Sequence, residues 1–271
     1  MGNARRPLMH LALAVVTLIF VTPVLWLLVL AIRPSEITAN EPLNFLFAPD
    51  FGSFFYVFTR GNAASSLTAS VIQALGATTI AMPLAILASY GLTRWRYRGQ
   101  KYLSSWYLGL MLAPPMIFVI PLFVVLSNMG LNGTHLAPII AFQTFSIPLG
   151  VMLLRSFFEE LPLELEEAAM VDGAGRMRIL LQIILPVLRP GLLVTGIFVF
   201  CFCWNNLLFV MPLTSGETVP LTVRALSFYA TSGINWTYIG ATAVASMLVP
   251  MFLFFLFRKH IVSGLTFGAV K

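Results

Sequence analysis

Charge is what this 271-residue chain has least of. Ten carboxylates and sixteen basic residues make up 10% of the sequence against 59% hydrophobic, too little to solvate a soluble domain of this size. Histidine (three) and cysteine (two) are equally scarce. No G-x-x-x-x-G-K-[ST] run occurs, so the chain has no such phosphate-cradling loop for ATP. No H-E-x-x-H or C-x-x-C occurs, and His10, His135 and His260 lie on three separate segments, which argues against a metal site. Cys201 and Cys203 stand two apart in an apolar run, where a helix turns them about 200° from each other. They read as packing residues.

What the chain has instead is long apolar sequence. Six runs, at about 8–32, 66–93, 102–127, 135–154, 190–213 and 237–257, each approach or exceed the roughly 20 residues that cross a bilayer core. Mean hydropathy is +0.91, and no run contains Asp, Glu, Lys or Arg. Proton-coupled carriers and pumps place ionisable groups inside the bilayer, so proton coupling is disfavoured along with catalysis. The first run follows Arg5 and Arg6 but stays apolar beyond the ~7–15 residues of a signal core and lacks a small-x-small exit. It reads as a retained helix. The expectation is an all-α membrane protein with six transmembrane helices.

Orientation follows from the basic residues. With the N-terminus inside, Arg5, Arg6, Arg94, Arg96, Arg98, Lys101, Arg155, Arg176, Arg178, Arg189, Arg258, Lys259 and Lys271 are cytoplasmic, and Arg33, Arg60 and Arg224 are outside. That asymmetry predicts both termini in the cytoplasm. Topology therefore accounts for the net charge of +6, which gives no ground for a nucleic-acid partner.

The connections are unequal. Outside, 33–65 carries Pro34, Pro42, Pro49, Gly52 and the aromatics Phe54, Phe55 and Tyr56, predicting a loop with a short interfacial helix. The exterior segment 214–236 is similar, and 128–134 is short. Inside, 94–101 is a basic turn, whereas 155–189 is long, charged and rich in helix formers. A connection of that length has a function or a structure of its own. Pro83, Pro114, Pro115, Pro121, Pro138, Pro148 and Pro212 fall within the apolar runs, and each is expected to bend its helix. Such bends suit a translocation path, although proline is also commoner in membrane helices generally.

Within 155–189, Pro162 suits a first helical turn, Glu164, Glu166 and Glu167 favour the helix N-terminus, and Gly173 offers a left-handed stop. A helix is predicted from about Leu163 to Asp172. On a 100° wheel Leu161, Leu165, Ala168, Ala169 and Asp172 share one side, with Leu163 and Met170 on the other. Two apolar strips on so short a helix predict burial on two sides, and the methyl groups of Ala168 and Ala169 admit another protein close to the backbone.

Glu167-Ala168-Ala169, then Gly173, Ile183 and Leu185-Pro186 at their long spacing, resemble the EAA loop of membrane subunits of bacterial ATP-binding cassette importers. The stretch Pro162–Ala174 and the ending Gly264–Lys271 resemble the carbohydrate-uptake branch, in particular the smaller six-span subunit of the maltose type. The family ending often carries one further glycine after Val-Lys, which this sequence lacks.

The resemblance implies a type I importer permease fold: one permease domain over 1–271, a coupling loop at 155–189 and a cytoplasmic tail at 258–271. It implies that the 163–172 helix docks into a cleft of a separate ATPase dimer, which binds ATP and Mg; no cofactor resides in this chain. Glu167 would anchor the contact, Ala168 and Ala169 would form the close surface with Asp172 nearby, Gly173 would permit the turn, and Ile183, Leu185 and Pro186 would end the following helix. Thr266, Phe267, Gly268, Ala269 and Val270 would reach the ATPase. A second homologous permease, a periplasmic or lipid-tethered binding protein, a sugar-like substrate and membrane lipid complete the implied partners.

A sugar path calls for amides, hydroxyls and aromatic faces. Trp204, Asn205 and Asn206 in the fifth run, and Phe142, Gln143 and Thr144 in the fourth, are the candidates, with Gln73 in the second. These amides can equally bond neighbouring helices, and both readings stand at this point. A self-contained secondary carrier and a non-transporting scaffold are the alternatives to an importer subunit.

Overall fold

Proline pairs and asparagine pairs decide where the apolar runs break. The computed structural model describes residues 5–40, 46–230 and 233–266. Its helices are α1 (Arg5–Ile32), α2 (Ser35–Asn40), α3 (Gly52–Thr59), α4 (Ala63–Arg94), α5 (Gln100–Leu112), α6 (Met116–Asn128), α7 (Leu136–Glu160), α8 (Glu164–Val171), α9 (Arg176–Ile179), α10 (Leu185–Val187), α11 (Arg189–Trp204), α12 (Leu207–Leu213), α13 (Leu221–Leu226) and α14 (Trp236–Thr266). A π-helical stretch, Leu180–Ile184, joins α9 to α10, and a 3-10 turn, Gly216–Thr218, precedes α13. A small antiparallel ribbon, β1 (Tyr229–Ala230) with β2 (Gly233–Ile234), leaves the class all-α.

Met9–Ile32, Ala63–Arg94, Leu136–Glu160 and Trp236–Lys259 are each long and apolar enough to cross a membrane. The run expected as one span over 102–127 is instead two helices, α5 and α6, bent by 96°. Ala113 is extended, with ψ 135°, because the Pro114 ring clashes with an α-conformation at the preceding residue. The run expected over 190–213 also divides, into α11 and α12, at Asn205-Asn206. The sixteen residues of α11 cover only about 24 Å, and α11 meets the helical stretch before it, Arg176–Val187, at a bend of 83°. At the other prolines the helices are not interrupted. Pro83, Pro121, Pro148 and Pro212 lie inside helices that continue through them, and Pro138 sits in the first turn of α7, where no amide proton is required.

The chain forms two compact units. In the first, Met1–Leu67 with Leu221–Val249, the core is Ala31, Val57, Ala63, Leu221, Ala241 and Val244, with Phe54, Leu67, Phe228 and Tyr238 against it. Tyr56 stacks on Tyr238 with centroids 4.4 Å apart, and the Arg224 Nε donates to the Ser66 hydroxyl at 2.9 Å. Most of α1 is apolar yet uncovered by the rest of the chain. A surface of that kind belongs in lipid or against another subunit.

The second unit, Thr68–Pro220 with Pro250–Lys271, is built around α7, which is buried at intervals from Ala137 to Phe158. Phe145 takes Phe118 edge-on at 5.5 Å and meets Phe209 at 5.8 Å; each such ring contributes on the order of 2 kcal/mol by burial. Gly150 lets α7 approach α4, since a Cβ there would lie 2.8 Å from that of Ala85. At the 155–189 end, Tyr90, Leu92, Leu154, Phe158, Ala169, Ile179, Leu180, Ile184 and Leu188 form one core, which positions α8.

Candidate coupling site

Eight residues make a helix too short to stand alone in water, so α8 depends on its ends and its inward face. Leu161 is extended before Pro162, with ψ 128°, and the Leu163 carbonyl accepts from the Glu166 and Glu167 amides at 2.9 and 3.0 Å. At the other end Gly173 adopts φ +79°. Its amide donates to the Met170 carbonyl at 3.0 Å and that of Ala174 to the Ala169 carbonyl at 3.0 Å. This paired closure satisfies the last carbonyls and requires a left-handed residue at position 173.

The chain itself covers one side of α8. Only Glu166 and Ala169 are buried; Leu163, Leu165, Glu167, Ala168, Met170 and Asp172 are exposed, and Val171 is 88% exposed. The wheel side that grouped Leu165, Ala168, Ala169 and Asp172 is split, because a glutamate takes the central inward position. Glu166 is 2% exposed. Its Oε1 pairs with the Arg94 Nε, and its Oε2 accepts from the Tyr90 hydroxyl at 3.1 Å. Arg94 also donates from Nη2 to the Leu161 carbonyl at 3.2 Å, filling an acceptor that the end of α7 leaves open. Trp95 meets Tyr90 edge-on at 5.0 Å, and the Arg176 guanidinium lies over the Trp95 ring at 5.6 Å. Glu166, Tyr90 and Arg94 were not among the expected site residues, and no local signal in the sequence singles them out.

Beyond the turn, Ile183 and Leu185 are half-buried against the core that holds Leu180 and Ile184, and Pro186 is exposed. Pro186 lacks an amide proton, and the preceding turns widen to the π-helical pattern of Leu180–Ile184, a local adjustment frequent at functional sites. Thr266 is the last residue of α14; Phe267, Gly268, Ala269 and Val270 lie outside the described residues.

The path candidates are not gathered into one pocket. Trp204 is buried and stacks on Phe200 at 5.5 Å. The Asn206 Oδ1 accepts from the Phe209 amide at 3.2 Å, which makes it the N-cap of α12. Asn205 is exposed and donates from Nδ2 to the Cys201 carbonyl at 2.9 Å. On α7, Phe142 is buried and Thr144 half-buried, while the Gln143 Nε2 donates to the Ala77 and Ile139 carbonyls at 3.2 and 2.8 Å. Its Oε1 is buried without a hydrogen-bond partner among the described residues, as is that of Gln73, whose Nε2 donates to the Thr218 carbonyl at 2.7 Å.

A helical membrane chain that presents a short, glycine-closed helix between long apolar segments, and that carries no nucleotide loop of its own, has the form of a transport permease subunit. Residues 81–266 match the family described as binding-protein-dependent transport system inner membrane component, and the chain belongs to that family. It is a multi-pass protein of the inner membrane. Among relatives, the trehalose transport system permease protein SugB of Mycobacterium tuberculosis is 32% identical, with 92% of each chain covered. The osmoprotective compounds uptake permease protein GgtD of Synechocystis sp. is 29% identical over 97% of this chain and 91% of the relative. A bacterial ABC transporter involved in the import of the acidic polysaccharide alginate has the same fold, with a TM-score of 0.76 at 20% identity over 96% of this chain and 98% of that one.

Proposed function

We propose that this chain forms half of the translocation path of an ATP-driven importer for a sugar or sugar-like solute. Its partners are a second permease, a pair of ATPase subunits that bind ATP and Mg, and an external solute-binding protein. Six passes with both ends in the cytoplasm place the 155–189 loop on the ATPase side. The observation that carries the reading is the exposed surface of α8, where Leu163, Leu165, Met170 and Val171 stand uncovered beside Glu167. Apolar side chains around one carboxylate suit a cleft with a basic group at its floor. Glu167 is the anchor, Ala168 the point of close approach, and Asp172 a flanking carboxylate. Ala169 faces inward and fixes the spacing between α8 and its support. Gly173 turns the chain into α9, whose continuation through Ile183, Leu185 and Pro186 returns it to α11. The tail beyond Thr266 adds a second ATPase contact. The names of the relatives, trehalose and osmoprotective-compound permeases, support a carbohydrate-like solute, and Asn205 and Gln143 are the amides offered to it.

The test is assembly. Co-expressed with its ATPase, the chain should retain that subunit through purification, and Glu167→Lys should abolish retention while leaving the permease in the membrane. Undiminished assembly and binding-protein-stimulated hydrolysis in Glu167→Lys would remove the coupling assignment.

A further inference from the structure

The inward face of α8 carries one side chain able to hold it in a fixed direction. Ala169 offers a methyl group, which can slide; Glu166 offers two oxygens, and both are engaged, one by Arg94 and one by Tyr90. The same guanidinium reaches the Leu161 carbonyl, so a single Arg94 side chain joins the last residue of α4, the end of α7 and the middle of α8. A second tie runs from beyond Gly173, where Arg176 covers Trp95 and Trp95 abuts Tyr90. Both ends of the α8 turn are thus returned to the Tyr90–Trp95 segment. Directional hydrogen bonds to a buried charge resist shear in a way that apolar contact does not, and a buried ion pair is either engaged or broken.

We propose that the Arg94–Glu166 pair is the strut that carries movement of α8 into the ends of α4 and α7, with Glu166 a positioning residue of the import cycle. This rests on the assignment of α8 as the coupling helix. The two adjacent glutamates then divide the work. Glu167 faces the ATPase, and Glu166 binds the helix to the permease. Loss of Glu167 detaches the motor, whereas loss of Glu166 leaves the motor attached and disengaged.

The experiment uses the complete complex in proteoliposomes, with Cys201 and Cys203 replaced and spin labels at Glu164→Cys on α8 and Tyr97→Cys beyond α4. The unmodified pair should give one narrow label distance that is the same without nucleotide and with ATP and vanadate. In Glu166→Gln and in Arg94→Gln the ATPase should remain bound and basal hydrolysis stay within about two-fold, while stimulation by the binding protein falls at least about five-fold, the lower end of typical coupling. The label distance should broaden with nucleotide. Tyr90→Phe, which keeps the ion pair, should fall between, and the exchange Arg94→Glu with Glu166→Arg should restore both readouts. A distance that shifts with nucleotide in the unmodified strut, full stimulation in Glu166→Gln, or no rescue by the exchange would overturn the proposal. Loss of the bound ATPase in Glu166→Gln would make Glu166 a contact residue and also overturn it. Retention of the ATPase by Glu167→Lys is the separate result that removes the coupling-helix assignment itself.

Discussion

Glu166 and Glu167 are neighbours on one short helix, and the first is buried against Arg94 and Tyr90 while the second is exposed. A step of about 100° separates them, enough to send one carboxylate into the chain and the other out of it. The consequence for stability is asymmetric. Glu166→Ala should leave Arg94 buried and unpaired, at a cost of about 3–5 kcal/mol, whereas Glu167→Ala should change stability by no more than about 0.5 kcal/mol. Thermal denaturation of the detergent-solubilised permease measures the difference. Replacing both partners, Arg94→Met with Glu166→Leu, should cost less than either single change, because no uncompensated charge remains.

The turn after α8 makes a sharper prediction, because space and backbone disagree there. Nothing lies within 4 Å of a Cβ built on Gly173, yet its φ is +79°. Gly173→Ala should therefore destabilise through conformation alone, by about 1–2 kcal/mol, and Gly173→Asn should cost less because asparagine tolerates the left-handed region. Equal melting temperatures for Gly173→Ala and the parent would contradict the observed closure.

Gly150 is the opposite case, where the backbone is ordinary and the space is filled. A Cβ at 150 would stand 2.8 Å from that of Ala85, so Gly150→Ala should force α4 and α7 apart at a cost of about 1–3 kcal/mol. Ala85→Gly in the same chain should recover most of that loss. A double variant no more stable than Gly150→Ala would show that the two helices do not meet at these residues.

How much of this was legible depends on the range of the interaction. The glycine stop at 173 and the helix before it were readable, because a carboxylate-rich first turn and a glycine close are local signals. A bend at Pro114-Pro115 was readable for the same reason, although the run was expected as one span and divides into two helices there. Glu166 was not, since its partners Tyr90 and Arg94 lie 76 and 72 residues away, and a wheel treats an acidic residue as solvent-facing by default. The continuity of α4 and α7 through Pro83 and Pro148 agrees with the single apolar runs read over 66–93 and 135–154. The cap formed by Asn206 lies between these cases. An asparagine ahead of Leu207–Leu213 is a local start signal, obscured by a hydrophobic run that suggested one uninterrupted helix.

The two asparagines at that break should separate by experiment. Asn206→Ala removes the cap of α12 and should cost about 0.5–2 kcal/mol, with Asn206→Asp retaining the bond to Phe209. Asn205 is exposed and its side chain donates to the carbonyl of Cys201 one turn earlier in α11, so Asn205→Ala should change the melting temperature little and uptake a great deal if the amide faces the solute. Measuring both quantities on the same reconstituted variants checks this. An uptake rate unchanged in Asn205→Ala removes it from the path.

Gln143 offers the clearest separation of fold from function. Its amide nitrogen donates to the Ala77 and Ile139 carbonyls, and its Oε1 is buried without a partner among the described residues. In Gln143→Met the two donated bonds disappear, a loss of about 1 kcal/mol each. The unsatisfied acceptor disappears with them, relieving a penalty of about 1–3 kcal/mol. The opposing effects leave stability within about 1 kcal/mol of the parent. Transport responds differently if that oxygen meets the solute or the water that accompanies it, because methionine has no oxygen to offer and the passing group loses its partner. The expected outcome is a permease that assembles and melts like the parent and imports solute at least about ten-fold more slowly, a loss of about 1.4 kcal/mol at the barrier. Parent-like solute uptake together with parent-like stability would assign the buried oxygen a structural role instead.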